Sequence, residues 1–558
     1  MNAAPVTVIL FAFGASFVAL VGKIVPGRFW RELSLLVLAG ALWPLATAAP
    51  VVFGGGEILY ALGGFSGELG IPLLLDGLAW FSAALVVLMT LIVGMVALPH
   101  RGYPAAFFFF LHMTSAGMLA VAITADVFTL FVSFEIVAIG VYVLIAWERT
   151  PEGLLASLKY LFLSSVGILF FLLGVFLVYR DLGALSFRGI SSALALASPV
   201  VEGVSVGPLH IPPPGPARSI PLAVAALCVG IGVRTAFIPF HTWLPEAHAW
   251  APHPVSALLS GVLIKISFIA MVRLIVVFDA RYLEPVLMWI GVATAVLAVV
   301  WALAQHDAKR LLAFHSISQM GYILAAWGSG GTGAEVAAYS HALSHALFKA
   351  LLFIVVGIMI ERSGTRSVYR MRGGATGSPF LALGLLVGAL AISGVPPFNG
   401  FASKKLVLSA VGAASSAAEF LLNLAAVGTA ASFMKLSLVL RPAETTPPDR
   451  GRLPAVEGAA VGVLVILVVA GGVFSGPTGR SIATLVGAPE PGGVYTTSAI
   501  PSTVIPLVVG VAVAAMVVSR RGRRIAHRVS SLAPQLDTVL VFFVLGLTLF
   551  SLVPFWRV

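Results

Sequence analysis

Charge is scarce in this chain. Of its 558 residues only 10% are Asp, Glu, Lys or Arg, against 59% hydrophobic. A soluble domain cannot cover itself in water with so few charges. Cysteine is nearly absent too: Cys228 stands alone inside an apolar run, which excludes an internal disulfide and any cysteine-ligated iron–sulfur cluster. There is no GxGxxG or Walker motif in a strand-to-helix setting, so no cofactor, redox or nucleotide, is expected. Short alternating apolar segments, the mark of a membrane β-barrel, are lacking. Basic residues before the first apolar run are lacking as well, because Lys23, Arg28 and Arg31 follow it. A cleaved signal peptide has the reverse order, so this run is kept as the first span.

What is present is apolar sequence in lengths that cross a bilayer as helix, roughly 20 residues each. The pattern predicts an all-α polytopic membrane protein of about sixteen spans: 5–26, 33–53, 74–98, 103–123, 126–147, 155–178, 220–248, 254–277, 283–305, 309–327, 334–360, 378–411, 416–440, 455–475, 502–519 and 537–555. Glycine-rich 54–73 reads as a hairpin or irregular loop outside the membrane. Residues 182–218, with the cluster PPPGP, and the polar stretches 442–454 and 476–500 read as loops.

The net charge is +11, and the basic residues sit between apolar runs. They report orientation rather than a nucleic-acid partner. Arg101, Arg149, Lys309, Arg310, Arg362, Arg366 and the run from Arg520 to Arg528 fall on one side. The other side holds little more than Arg180, Arg188, Arg218, Arg281, Arg480 and Arg557. The basic side is expected to face the cytoplasm, with both termini outside. The SRRGRRIAHR stretch reads as a positive-inside anchor, with contact to anionic lipid as the other reading.

Ionisable groups inside apolar runs cost about 2.5–3.5 kcal/mol each on insertion scales, and persist where they pair, line water or work. The candidates are Glu135, Arg234, Lys265, His315, His341, His345, Lys349, Lys404, Lys405 and Lys435. His341, His345 and Lys349 recur every fourth residue and so share one helix face. A proton-relay face and a satisfied packing role are both open for them. A His pair at this spacing can bind metal, but no HExxH glutamate and no obvious third ligand accompany it, so no metal is expected. Lys435 could snorkel to a helix end; Glu135, near mid-span, needs a cation or a water chain.

Two runs are interrupted. RTAFIPFHTWLPEAHAWAPHP contains Pro239, Pro245, Pro252 and Pro254; ISGVPPFNGFASKK contains Pro396, Pro397 and Gly400. Irregular backbone at membrane depth needs protein or a watery cavity to satisfy it. Spans four to eight and nine to thirteen each break at their fourth helix. Each set also carries a titratable group in its second helix, Glu135 or His315, and a lysine in its fifth, Lys265 or Lys435. Such matching predicts an inverted repeat around a translocation site. The expected divisions are N-terminal spans over 1–102, a first repeat over 103–277 broken near 239–253, a second over 283–440 broken near 394–401, and C-terminal spans over 455–558.

HTWLPEAHAWAPHPVSALLSGVLIK resembles the core motif of the antiporter-like membrane proteins. These include the large membrane subunits of respiratory complex I (NADH-quinone oxidoreductase), of Mrp-type Na⁺/H⁺ antiporters, and of group 4 membrane-bound hydrogenases and formate hydrogenlyases. DVFTLFVSFEIVAIGVYVLI, ASLKYLFLSSVG, HDAKRLLAFHSISQMGYIL and SHALSHALFKALLF are similar to it too, and SGVPPFNGFASK most resembles the hydrogenase-type members. The resemblance covers about residues 70–440. It implies fourteen shared spans, leaving two extra at the C-terminus, two inverted five-helix repeats, and a hydrophilic axis carrying protons.

Carried onto this chain, Glu135 matches the fifth-helix glutamate and Lys265 the central lysine. His341, His345 and Lys349 match the eleventh-helix group, and Lys404 or Lys405 the charged residue of the broken twelfth helix. Arg234 stands where the family usually has a lysine. The function implied is that of a non-redox, proton-translocating subunit of a redox-linked complex in a prokaryotic cell membrane, with other membrane subunits as partners. An Mrp-type Na⁺/H⁺ antiporter subunit and a non-transporting anchor subunit are the alternatives.

Overall fold

The computed structural model describes residues 3–530 except 26, 28, 66–69, 198–203, 207–208, 212–218, 377, 442–452 and 496–498; beyond 530 it describes only Leu532 and Thr548. The chain is an all-α polytopic membrane protein. In order, the helices are α1 (Ala4–Ile24), α2 (Phe29–Ala39), α3 (Leu42–Phe53), α4 (Gly77–Ala97), α5 (Ala105–Ile123), α6 (Val127–Ile145), α7 (Pro151–Leu182), α8 (Phe187–Ala197), α9 (Ile220–Thr235), α10 (Trp243–Trp250), α11 (His253–Leu258), α12 (Ile264–Val277), α13 (Glu284–Ala304), α14 (Ala308–Gly328), α15 (Ala334–Ser363), α16 (Pro379–Ser393), α17 (Asn399–Ala414), α18 (Ser416–Leu436), α19 (Ala455–Val473), α20 (Ser475–Val486), α21 (Ala499–Val518) and α22 (Arg520–Ser530). Among the described residues, eleven helical segments are each long and apolar enough to cross a bilayer. Others, such as α9 and α16, are shorter apolar helices that end at breaks.

Every expected span but the last coincides with helix; 537–555 lies outside the described residues, as do the PPPGP cluster and most of 442–454. Of the two readings for the 54–73 stretch, a hairpin or an irregular loop, the structure shows the hairpin. Strand β1 (Ile58–Leu62) pairs antiparallel with β2 (Ile71–Leu75). Two stretches expected to be loops contain helices, α8 within 182–218 and α20 within 476–500. Each is short and half-buried. α20 sinks Ile482, Ala483 and Leu485 into the protein and leaves its other face outside, so its mean hydropathy resembles that of a loop. A second small hairpin, β3 (Val204–Val206) with β4 (Leu209–Ile211), lies in the same 182–218 segment.

Capping side chains mark where helices begin. Asp76, Asp126, Thr150, Asp307 and Ser415 each accept a hydrogen bond from a backbone N–H of the first turn. Such caps contribute about 1 kcal/mol each by satisfying an orphan donor. One piece of local structure occurs twice. Asp126 caps α6 and bridges to Ser186, just after α7 ends in left-handed Gly183. Asp307 caps α14 and bridges to Ser367, just after α15 ends in left-handed Gly364. The flanking backbone bonds also correspond: Val127 N–H to Leu185 O and Phe187 N–H to Ala125 O in one copy, Ala308 N–H to Arg366 O and Val368 N–H to His306 O in the other.

Helices pack closest where glycine removes the side chain. On α13 and α14, a Cβ at Gly291, Gly321 or Gly328 would strike the backbone of Ala325, Ala295 or Met288 respectively. Gly230 does the same for α9 against the backbone of α7. Within this packing α11, α12, α14 and α15 form the interior: the α11–α12 segment is buried except toward the end of α12, and α14 buries nearly every residue.

Candidate functional site

The two interrupted spans are satisfied by protein. After α9 the chain turns at Ala236, whose φ is 58°. The freed groups find partners: Trp243 Nε1–H donates to Val233 O at 2.7 Å and Ile238 N–H to Thr294 Oγ1 at 3.2 Å. α16 ends in left-handed Gly394, and Val395 N–H folds back to Leu390 O at 3.0 Å. Gly400 at the start of α17 is required, because a Cβ there would collide with Ala391 O.

Arg234 lies in the last turn of α9, where a cation suits the helix dipole. Its guanidinium is buried and donates to Glu135 Oε1 at 3.1 Å, with the Phe134 ring 5.1 Å away. Glu135 thus has the cationic partner its position called for. Its own side chain, however, is 40% exposed, so this chain alone does not enclose it. Helix α6 presents Glu135 at the subunit's surface, with Arg234 behind it.

The interior holds the lysines and histidines. A five-residue π-helical turn, Leu259–Leu263, separates α11 from α12. π-turns loosen the carbonyl ladder and are frequent at functional sites. Here the freed Ser260 carbonyl accepts from Lys265 Nζ. Ser260 Oγ bonds Ser316 Oγ at 2.7 Å, Ser316 Oγ reaches Leu312 O at 3.2 Å, and Lys349 Nζ donates to that same carbonyl. Lys265 and Lys349 are therefore joined through two serines and two carbonyls. Ser260 and Ser316 were not singled out in the sequence, since serines back-bonding within helices are common there.

Further along α15, His341 bonds Gln319 Oε1 through Nε2 at 3.1 Å and Ser403 Oγ through Nδ1 at 3.0 Å. Its ring lies parallel to that of His345, with centroids 6.4 Å apart. His345 is fully buried, and both ring nitrogens lack a hydrogen-bond partner. The same holds for His315, packed on Phe433 at 4.9 Å, and for His248, stacked on Phe353 at 4.6 Å. Buried polar atoms left open are costly and rare. Three such rings lie among the buried lysines.

The pair Lys404 and Lys405 resolves. Lys404 is buried, donates to Ile392 O at 2.6 Å and sits 5.3 Å from the Tyr322 ring, itself beside His341. Lys405 is only half-buried. Lys435 does not snorkel. It is buried and donates to Leu303 O and Gln305 O at 2.6 and 2.8 Å, capping the C-terminal end of α13.

At the arginine-rich face the end of α10 is held by cations. Lys309 Nζ donates to Ala251 O at 2.6 Å, Arg366 donates to Ala249 O, and Arg310 pairs with Glu246 at 3.0 Å. On the opposite face Asp76–Arg273 at 2.6 Å and Glu335–Arg281 at 3.1 Å line a cavity of about 530 Å³. Sequence reasoning missed both sets, because each pair joins residues far apart in the chain.

Comparison with known proteins agrees with this architecture. Residues 124–431 match the family model described as NADH:quinone oxidoreductase/Mrp antiporter, TM. The chain is 32% identical over 388 residues to NADH-quinone oxidoreductase subunit N of Desulforudis audaxviator, covering 66% of this chain and 73% of that one. It is 30% identical to a Na⁺/H⁺ antiporter subunit of Alkalihalophilus pseudofirmus, covering 68% and 75%. Hydrogenase-4 component B of Escherichia coli is 31% identical, covering 60% of this chain and half of that one. In fold, the chain resembles a chain of the Mrp complex from Dietzia sp., with a TM-score of 0.76 at 21% identity over 91% of this chain and 99% of that one. A chain of the archaeal membrane-bound sulfane sulfur reductase scores 0.76 at 23% identity, over 92% and 100%. The chain belongs to the NADH:quinone oxidoreductase/Mrp antiporter family of membrane proteins.

Proposed function

We propose that this chain is the ion-translocating, antiporter-like subunit of a multi-subunit, redox-linked membrane complex, and that the ion is H⁺. The observation that carries the reading is the buried string from Lys265 through Ser260, Ser316 and Leu312 O to Lys349, flanked by open histidine rings. Lysine and histidine can both lose and regain a proton, and desolvation brings a lysine into that range readily. Protons enter from the arginine-rich, cytoplasmic side and pass along the His341, His345 and Lys349 face. They leave near Lys404. Both termini then face outward, in a prokaryotic cell membrane.

The repeated Asp-capped bridge supports two inverted repeats. By the charge of the loops its two copies fall on opposite faces of the membrane. The pair Arg234–Glu135 is the input. Glu135 is open at the surface, where a neighbouring subunit would cover it and change its field. That change is passed to Lys265 because each charge biases its neighbour's proton affinity. The relatives' printed names also admit Na⁺, which demands several oxygen ligands, carboxylates above all. Among the described residues Glu457 is the one fully buried carboxylate, and it lies at the start of α19, away from the axis, so H⁺ is preferred.

The test is the intact complex in sealed proteoliposomes. Turnover should acidify or alkalinise the lumen at an unchanged rate when Na⁺ is replaced by choline. Strict dependence on Na⁺, with ²²Na⁺ uptake, would overturn the choice of ion; absence of any ion movement would leave the anchor role.

A further inference from the structure

Four side chains from four elements meet at the arginine-rich face, outside the string of lysines. His100 lies in the turn after α4, His253 begins α11, Glu361 ends α15 and Glu457 begins α19. His253 Nδ1 meets Glu361 Oε1 at 2.8 Å, and His100 Nε2 bonds Glu457 Oε1. The two imidazoles lie edge to face, with centroids 5.5 Å apart. One ligand atom from each of His100, His253 and Glu361 falls within 4.8 Å of the others.

We propose that this cluster is a binding site for a divalent transition-metal ion of the zinc class, with His100, His253 and Glu361 as ligands and a solvent molecule in the fourth position. Two imidazoles with one carboxylate are a donor set suited to Zn²⁺ and its neighbours, and too nitrogen-rich for Mg²⁺ or Ca²⁺. Zinc bonds of about 2 Å place tetrahedral ligand atoms roughly 3.3 Å apart, so modest side-chain rotation closes the set. The site is open to solution on one side, where the Glu361 side chain is 47% exposed and that of His100 26%.

Its inner wall is built. The His253 side chain is 1% exposed, and its Nε2 is buried with no hydrogen-bond partner. Gly357, one turn before Glu361, makes the approach possible, because a Cβ there would collide with His253 Cβ. A bound ion would therefore tie the helix leading to Lys265 to the helix carrying Lys349, at the ends where the proposed proton path begins. The binding claim itself does not depend on that path.

The test uses the purified full chain in its complex, stripped with chelator and titrated with ZnCl₂ by calorimetry. A parallel titration with CoCl₂ follows the visible bands of tetrahedral Co²⁺. Saturable binding of one ion per chain is expected, with tetrahedral bands. Affinity should fall more than about tenfold, the scale of even outer-shell losses, in Glu361→Gln and in His253→Gln. Glu361→Gln keeps the size of the side chain and serves if His253→Gln does not fold. Absence of saturable Zn²⁺ binding to wild type, or equal affinity in wild type and Glu361→Gln, would overturn the site.

Discussion

At the scale of single residues, three substitutions test which groups the proposed function uses. Arg234 stands where the family resemblance leads one to expect a lysine. A guanidinium stays charged throughout the accessible pH range, whereas a lysine placed there could release its proton. Arg234→Lys is therefore expected to add a new ionisation to the pH profile of ion transport; an unchanged rate and profile would show that Arg234 has no special role. Lys404 and its neighbour give a sharper contrast. Lys404 is sealed against Tyr322 and the end of α16, and Lys405 is half-buried. Lys404→Met should reduce proton transfer at least about tenfold, as expected for losing one positioned proton carrier. Lys405→Met should leave transfer within about twofold of wild type, a change near the size of RT. Both rates are read from a pH dye in proteoliposomes.

At the scale of elements, the interior depends on close helix contact and on breaks that are paired. α13 and α14 touch backbone to backbone at Gly291, Gly321 and Gly328. A side chain at the middle of that seam cannot be absorbed by rotamer changes, since the obstacle is the Ala295 backbone. Gly321→Val should destabilise the protein by about 1–3 kcal/mol, the range for overpacking a tight core, and lower its melting temperature in detergent. Because Ser318 on the same helix bonds Ala295 O, the change should also displace the helix carrying Ser316, so transport should fall with stability. A melting curve equal to wild type would mean that the seam is looser than described. The broken spans follow the same logic. Their open carbonyls are taken up by Trp243, Lys404 and the cations around α10, which is how non-helical backbone is tolerated at membrane depth.

At the scale of the whole molecule, the sequence was most legible where a long physical signal existed. Apolar runs located the spans, and Pro239 and Pro396 located both breaks. Periodicity placed His341, His345 and Lys349 together on α15. What stayed hidden was short or non-local. α8 and α20 are too brief and too evenly half-apolar to stand out from loop. Ser260 and Ser316 look like ordinary helix serines until packing brings their hydroxyls to 2.7 Å. His100, His253, Glu361 and Glu457 share no local pattern, since they converge only once α4, α11, α15 and α19 are assembled. Glu135 could be placed on its helix but not on a face, and its exposure follows from how α6 packs against α5 and α7.

The account as a whole rests on Lys265 being a proton carrier rather than a buried structural cation. Among the described residues its hydrogen-bond acceptor is the carbonyl freed by the π-turn, and Ser260 and Ser316 lie between it and Lys349. Proton uptake by proteoliposomes containing the intact complex, compared between wild type and Lys265→Met at equal assembly and equal melting temperature, tests this directly. The account predicts uptake at least about tenfold slower in the variant. Uptake at the wild-type rate would contradict it.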